Sequence, residues 1–405
     1  MQGDAEMKDD RRPFRRHVFY IHGFDPRGPA PYHGFFTAHA GEAGRRWERQ
    51  IEVSRRSQPA PHVARWAISS KASGAPSVQV TYEPLRRNAE VLRLGAQRRP
   101  AALIGQSFRV LWAYARSGFM GEIYRPARAA FFSVLTPPLL FTLFALASLG
   151  VGFLGVLVGG ILGRAAELPA EAVTAVQVFA ALLALFLVLL VWRHLARRAE
   201  LWWLTRCLDY LWLAAHGDVT RSEKRADEFA QRLGRVAAEP ALDEIVVVGH
   251  SLGALHAVRM VAKALRAHPD LGLGREGPRL LLLFLGQSIP SYTVYERDPD
   301  FVRDLIDVTT SERATVIDVT SGSDTGSACR VDLLHRLDVG GRVSRHRQER
   351  PPFHQLLTPQ SFRSIRKNPR AYHFQYLKPS ERGSGFDYFE LLTRPEVLTT
   401  TRAVP

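Results

Sequence analysis

Asp243-Glu244-Ile245-Val246-Val247-Val248-Gly249-His250-Ser251-Leu252-Gly253 is the stretch on which the fold turns. Residues 243–248 make a short, β-branched apolar run of the kind that fills a parallel strand buried on both faces. A helical pattern follows over residues 252–268. Between the two, Gly249, Ser251 and Gly253 form G-x-S-x-G in the strand-turn-helix context that this pattern requires. A side chain at 249 or 253 would collide with neighbouring backbone in so sharp a turn, which lifts the Ser251 hydroxyl above the sheet. The start of the helix aims amide groups and a positive dipole end at developing negative charge. This is the setting of a serine nucleophile; the plain alternative is an ordinary glycine-rich turn.

Upstream, residues 17–21 read as a buried strand that runs straight into the loop His22-Gly23-Phe24-Asp25-Pro26-Arg27-Gly28. Residues 78–82 alternate like a strand, 88–116 are helical and basic, and 222–238 are amphipathic. Downstream, 280–285 and 314–319 are strand candidates, the second followed by Ser321-Gly322-Ser323-Asp324. A carboxylate in that loop stands where an acid that orients a catalytic histidine belongs, in the chain order Ser, Asp, His. Asp318 and Asp332 are rivals, and each of the three also suits a turn. The candidate bases are His335, His346, His354 and His373. His354 sits in a proline-stiffened loop, whereas His373 lies among Tyr372, Phe374 and Tyr376, which read either as core packing or as the lining of an acyl pocket.

Taken together, the HGFDPRG loop, GHSLG, VTSGSD at 319–324, HFQYL at 373–377 and DYF at 387–389 resemble an α/β-hydrolase-fold serine hydrolase, and more closely membrane-associated bacterial members of that group. The resemblance implies a mostly parallel sheet with helices on both faces. It implies Ser251 as nucleophile, His373 as base, Asp324 as its orienting acid, and the Phe24 and Leu252 amides as oxyanion donors. His22, Gly23, Gly249, His250 and Gly253 would shape the loop and the turn. The expected activity is cleavage of an ester or thioester, with a lipid-like substrate among the options; the alternative is a catalytically silent fold serving as a membrane interaction module.

One departure from that pattern is large. Residues 129–163 contain no charged side chain and no histidine, and residues 172–192 are also uncharged. A bilayer's hydrocarbon core needs about 20 apolar residues in a helix, so the reading is a two-helix transmembrane hairpin over 129–192. The alternative is a pair of helices buried in a soluble core. Arg116, Arg125 and Arg128 precede the hairpin and Arg193, Arg197 and Arg198 follow it, against Arg164 alone in the connection. Positive-inside bias therefore predicts a two-pass protein of the inner membrane with the catalytic domain and both termini cytoplasmic. Gly152, Gly155, Gly159 and Gly163 give a small-residue face suited to packing within the hairpin or to dimerisation. Trp192, Trp202 and Trp203 suit interfacial anchoring, and residues 201–215 a helix lying on the membrane surface. The expected organisation is a basic tail (1–16), the first part of the hydrolase domain (17–128), the hairpin, a membrane-proximal helix (193–221), the second part (222–395) and a short tail (396–405).

The whole-chain figures agree. Among 405 residues, 46% are hydrophobic and Lys plus Arg outnumber Asp plus Glu by 54 to 39, a balance of +15. A disordered or fibrous chain is excluded. The basic excess fits an anionic leaflet, since no nucleic-acid-binding signature accompanies it. Cys207 and Cys329 make neither a disulfide framework nor a zinc site, and the apolar run after the N-terminal arginines is too short for a cleaved signal. Without a phosphate loop or HExxH pair, no cofactor and no metal are expected.

Overall fold

In the computed structural model, which describes residues 12–86, 98–217, 220–273, 277–382 and 385–398, the apolar run ahead of Ser251 is a central strand. The chain opens with β1 (Phe14–Ile21), α1 (Ala30–Arg46), β2 (Gln50–Val53), β3 (Ser57–Ala60), β4 (Val63–Ala72) and β5 (Ala75–Leu85). Six helices follow: α2 (Pro100–Arg116), α3 (Phe119–Tyr124), α4 (Arg128–Ala165), α5 (Ala170–Arg198), α6 (Leu201–His216) and α7 (Thr220–Ala237). Then come β6 (Glu244–His250), α8 (Gly253–Ala267), β7 (Arg279–Leu285), α9 (Ile289–Thr293), α10 (Pro299–Thr310), β8 (Thr315–Val319) and β9 (Arg347–Glu349). Short helices α11 (Phe353–Leu356), α12 (Pro359–Arg366), α13 (Pro369–His373) and α14 (Tyr388–Thr393) complete it.

The nine strands form one sheet in the order β2-β4-β5-β1-β6-β7-β8-β9, with β3 beside β4. Pairing is parallel from β5 through β9 and antiparallel around β4. The protein is thus α/β with a mostly parallel mixed sheet. Period-two alternation explains why the central strands are apolar throughout. Phe19, Ile21, Ile245, Val247, Leu282 and Phe284 face a core built with α6, α7, α8 and α10. Val18, Tyr20, Val246, Val248, Leu281 and Leu283 face a second core, built with α1 and the C-terminal segments. Register then fixes the site: Ile21 lies opposite Gly249, His250 opposite Leu285, and Leu285 opposite Val319. The loops after β1, β6, β7 and β8 therefore emerge together at the carboxyl edge of the sheet, where open α/β sheets hold their ligands.

α4 and α5 are long and apolar enough to cross a membrane. They are not buried core helices: Leu149 and Phe153 are each 72% exposed and Phe179 67%, so no part of the described protein covers them. The glycine face is used within the pair. A Cβ on Gly159 would stand 2.7 Å from the Gln177 Cα, and one on Gly155 2.8 Å from the Ala181 Cα. Close helix contact is the reason those positions are small.

Several expected boundaries move. Arg16 belongs to β1, not to a tail; its buried guanidinium is paired with Glu244 at 2.7 Å and also donates to the Leu392 and Glu396 carbonyls. Leu398 is buried as well, its amide donating to Glu244 at 2.7 Å, so the core extends into the expected C-terminal tail. The stretch 193–221 is not one unit, because Arg193 to Arg198 finish α5 and α6 is separate. One face of α6 packs onto the domain, where Leu204, Leu208, Tyr210 and Leu211 are buried, while Trp202 at its start is exposed. The β2 to β4 ribbon had no counterpart among the expected strands. Residues 88–97 of the expected basic helix lie outside the described residues.

Candidate active site

Ser251 sits between β6 and α8 with φ at +56°, a left-handed conformation that few non-glycine residues adopt. Strain of this kind persists only where the surroundings over-determine it. Here they do. The Ser251 amide donates to the Leu285 carbonyl at 2.8 Å, and the glycines on either side admit no side chain. A Cβ at Gly253 would lie 2.0 Å from the Ile21 carbonyl oxygen, and one at Gly249 2.6 Å from the Ala254 Cα. From the neighbouring strand, Gly23 comes equally close, since its Cβ would fall 2.7 Å from that of Ser251.

His373, at the end of α13, is 1% exposed, and its Nδ1 lies 2.9 Å from both carboxylate oxygens of Asp324, itself 1% exposed. A carboxylate can only accept, so Nδ1 carries a proton, and in the neutral form of the ring Nε2 presents a lone pair. Among the described residues that buried Nε2 has no hydrogen-bond partner. Ser251 and His373 line one small pocket, with no hydrogen bond between them. The other candidates are elsewhere. His335 pairs with Glu122, His346 lies beside Ser344 and Asp332, and His354 is exposed against Phe362. Asp332 caps the Leu334 amide. Asp318 is buried on β8, where burial pushes its carboxyl up to about 7 and the Gln287 amide donates to it at 3.1 Å.

His250 underlies this arrangement. Its ring stacks on that of His373 with centroids 4.9 Å apart, and its Nε2 lies 3.1 Å from the His373 carbonyl oxygen. Nε2 must donate there, so Nδ1 accepts from the Tyr20 hydroxyl at 3.1 Å. Burial, and then the neighbouring His373, push the His250 pKa down to about 3, which keeps the ring neutral.

On the other side, the loop after β1 is held by its own residues. His22 Nδ1 donates to the Gly23 carbonyl at 2.9 Å, and Asp25 accepts from Arg27 and from the Tyr32 hydroxyl. Phe24 lines the pocket and packs on Tyr210. Among the described residues neither the Phe24 nor the Leu252 amide meets a backbone acceptor. Asp387 of the DYF stretch serves packing: it caps α14 and accepts from Trp47 and Ser380.

Two neighbours were not anticipated. Trp203 is not an interfacial anchor; it stands 5.7 Å from the His373 ring and lines the Ser251 pocket. Cys207 joins it one turn along α6, with burial pushing its thiol up to about 12. The signal available for both was the apolar stripe of α6, Leu204, Leu208 and Leu211, which turns this face of the helix inward. Among the described residues no group of three or more His, Cys, Asp or Glu side chains is arranged to hold a metal. Compared with known proteins, the chain matches no family model, no curated protein and no solved structure.

Proposed function

We propose that the chain is a membrane-anchored serine hydrolase of the α/β-hydrolase kind, which cleaves an ester or thioester through an acyl-enzyme on Ser251. The observation that carries this reading is the His373 ring, held at one nitrogen by Asp324 and unpartnered at the other, in the pocket that Ser251 also lines. The chain order Ser251, Asp324, His373 supports it, as does the origin of the Phe24 loop in the strand next to the one carrying Ser251.

In this mechanism Ser251 Oγ attacks the carbonyl carbon while its proton passes to His373 Nε2. The Phe24 and Leu252 amides donate to the oxyanion. The C–O or C–S bond then breaks, and the alcohol or thiol leaves with the proton from His373. Water repeats the sequence: its proton goes to Nε2, its hydroxyl joins the acyl carbon, and Ser251 recovers a proton as the acid departs. One water is consumed and no electrons are exchanged. Asp324 steadies the imidazolium that forms twice in each cycle. In this reading the catalytic domain and both termini are cytoplasmic at an inner membrane, which the arginines flanking the hairpin support.

One observation favours the second reading, a catalytically silent interaction module: Ser251 and His373 share no hydrogen bond. Such bonds are often long before substrate arrives. A fluorophosphonate probe separates the two. Labelling of detergent-solubilised protein that Ser251→Ala abolishes supports the hydrolase; an unlabelled, folded wild type supports the silent module.

A further inference from the structure

α4 is longer than a bilayer requires. Its 38 residues extend about 57 Å at the helical rise, against a hydrocarbon core of about 30 Å. The surplus is at its start. Ala130, Ser133 and Val134 are buried against α2, α3 and α6 while Phe132 and Leu139 on the other face are exposed, and most large side chains from Leu143 onward are exposed. The last large side chain of α4 to be buried is Phe141, which packs between Trp192 and Trp202, each 5.6 Å away. Aromatic residues of this kind settle at the headgroup level. Val134 lies two turns before that belt, a distance of about 10 Å.

Those same first turns form one wall of a pocket that ends at Ser251. Ala130, Ser133 and Val134 face Leu204, Leu208 and Leu211 of α6 across it, and Ser251 and Leu252 close it. Among the described residues no charged side chain lines it. Two of its hydroxyls are already engaged, Ser133 donating to the Ala130 carbonyl at 2.8 Å and Ser288 to the Gly326 carbonyl at 2.6 Å. The Thr325 hydroxyl, buried without a partner among the described residues, leaves one polar spot in a wall otherwise built from Ile123, Val134, Leu204, Leu208 and Leu211, a lining that suits hydrocarbon better than a charged group.

The geometry points to a substrate class: the slot holds the hydrocarbon chain of a bilayer-resident acyl ester, and the foot of α4 sets the chain length accepted. This inference rests on the serine-hydrolase reading above. The chain reaches Ser251 between α4, which continues into the hairpin, and α6, which follows it, so the hairpin is a wall of the substrate site as well as an anchor. Ala130 and Ser133 leave the slot open because they are small.

The test uses full-length protein reconstituted in vesicles, with p-nitrophenyl esters from acetate to palmitate and with dioleoylglycerol as the bilayer ester. Ser133→Phe should lower the ratio of kcat/KM for palmitate to that for acetate about tenfold or more, since each methylene lost from an apolar pocket is worth roughly that factor. Val134→Ala should move the optimum to longer chains and guards against misfolding of the bulkier variant. Dioleoylglycerol should be turned over when it shares the protein's vesicles and not when it is supplied in separate ones. Unaltered chain-length profiles in both variants, or equal turnover from separate vesicles, would overturn this inference while leaving the hydrolase reading intact. A wild type that the fluorophosphonate probe does not label at Ser251 overturns both.

Discussion

His250 and His373 stack ring on ring, yet their protons are arranged differently. His373 keeps a free lone pair, whereas both nitrogens of His250 are committed and its ring is held neutral. This has a stability consequence. His250 titrates near 3 when folded against an ordinary 6.5. Between those values the unfolded chain binds the extra proton, so stability rises with pH there; the contribution is complete above 6.5 and is lost as pH falls toward 3. The melting temperature in detergent should fall between about pH 7 and pH 4, and His250→Gln should flatten that acid limb. A limb equally steep in the variant would place the proton uptake elsewhere. On the proposed chemistry, His373→Ala should lower turnover by roughly 10² to 10⁴ or more while His354→Ala leaves it near wild type, because an unassisted serine hydroxyl is a poor nucleophile. Steady-state kinetics on purified, folded protein decide it, and the reverse pattern would move the base to His354. Ser251 was legible because its turn needs glycines on both sides. Asp324 and His373 were legible only as candidates, since spacing along the chain does not say which loops meet at the sheet edge.

At the scale of elements, the hairpin and the central strands were readable for the same reason: each is defined by an uninterrupted apolar run whose length matches its surroundings. The antiparallel ribbon β2 to β4 escaped because β2 and β3 are four-residue, largely exposed strands and the apolar residues of β4 are interrupted by Ser69, Ser70 and Lys71. α6 was recognised as a helix but not its packing on the domain, because an apolar stripe looks alike whether lipid or protein covers it. For the hairpin itself, the glycine contacts make a sharp comparison. Gly159 has the Gln177 backbone where a Cβ would go, whereas Gly150 has nothing within 4 Å. Gly159→Leu should therefore destabilise the protein by about 1–3 kcal/mol through overpacking, with Gly150→Leu close to neutral. Thermal melting in detergent reads this directly. A Gly159→Leu variant that melts like wild type but changes oligomeric state would mean that the face serves a contact between copies.

For the molecule as a whole, the proposed topology sets the connection between α4 and α5 apart from everything else. Leu168→Cys should react with a membrane-impermeant maleimide added to intact cells, whereas Lys367→Cys should react only after lysis. Labelling of both, or of Lys367→Cys alone, would reverse or abolish the assigned orientation. Domain limits drawn from charge and apolar runs failed at both ends, because Arg16 and Leu398 are held through Glu244, a partner far away in sequence.

The position of β1 in the sheet bears on how the protein is made. β1 hydrogen-bonds to β5 on one side, which the ribosome completes before the hairpin, and to β6 on the other, which appears only after it. At about 5–20 residues per second, the interval between Leu85 and Glu244 lasts on the order of ten seconds or more. Throughout that time β1 has no β6 to pair with, so its second edge stays open while α4 and α5 are being made. An open edge is a template for pairing with other chains. On the proposed topology the hairpin is inserted within this interval, so a delay in inserting it prolongs the window in which β1 can find the wrong partner.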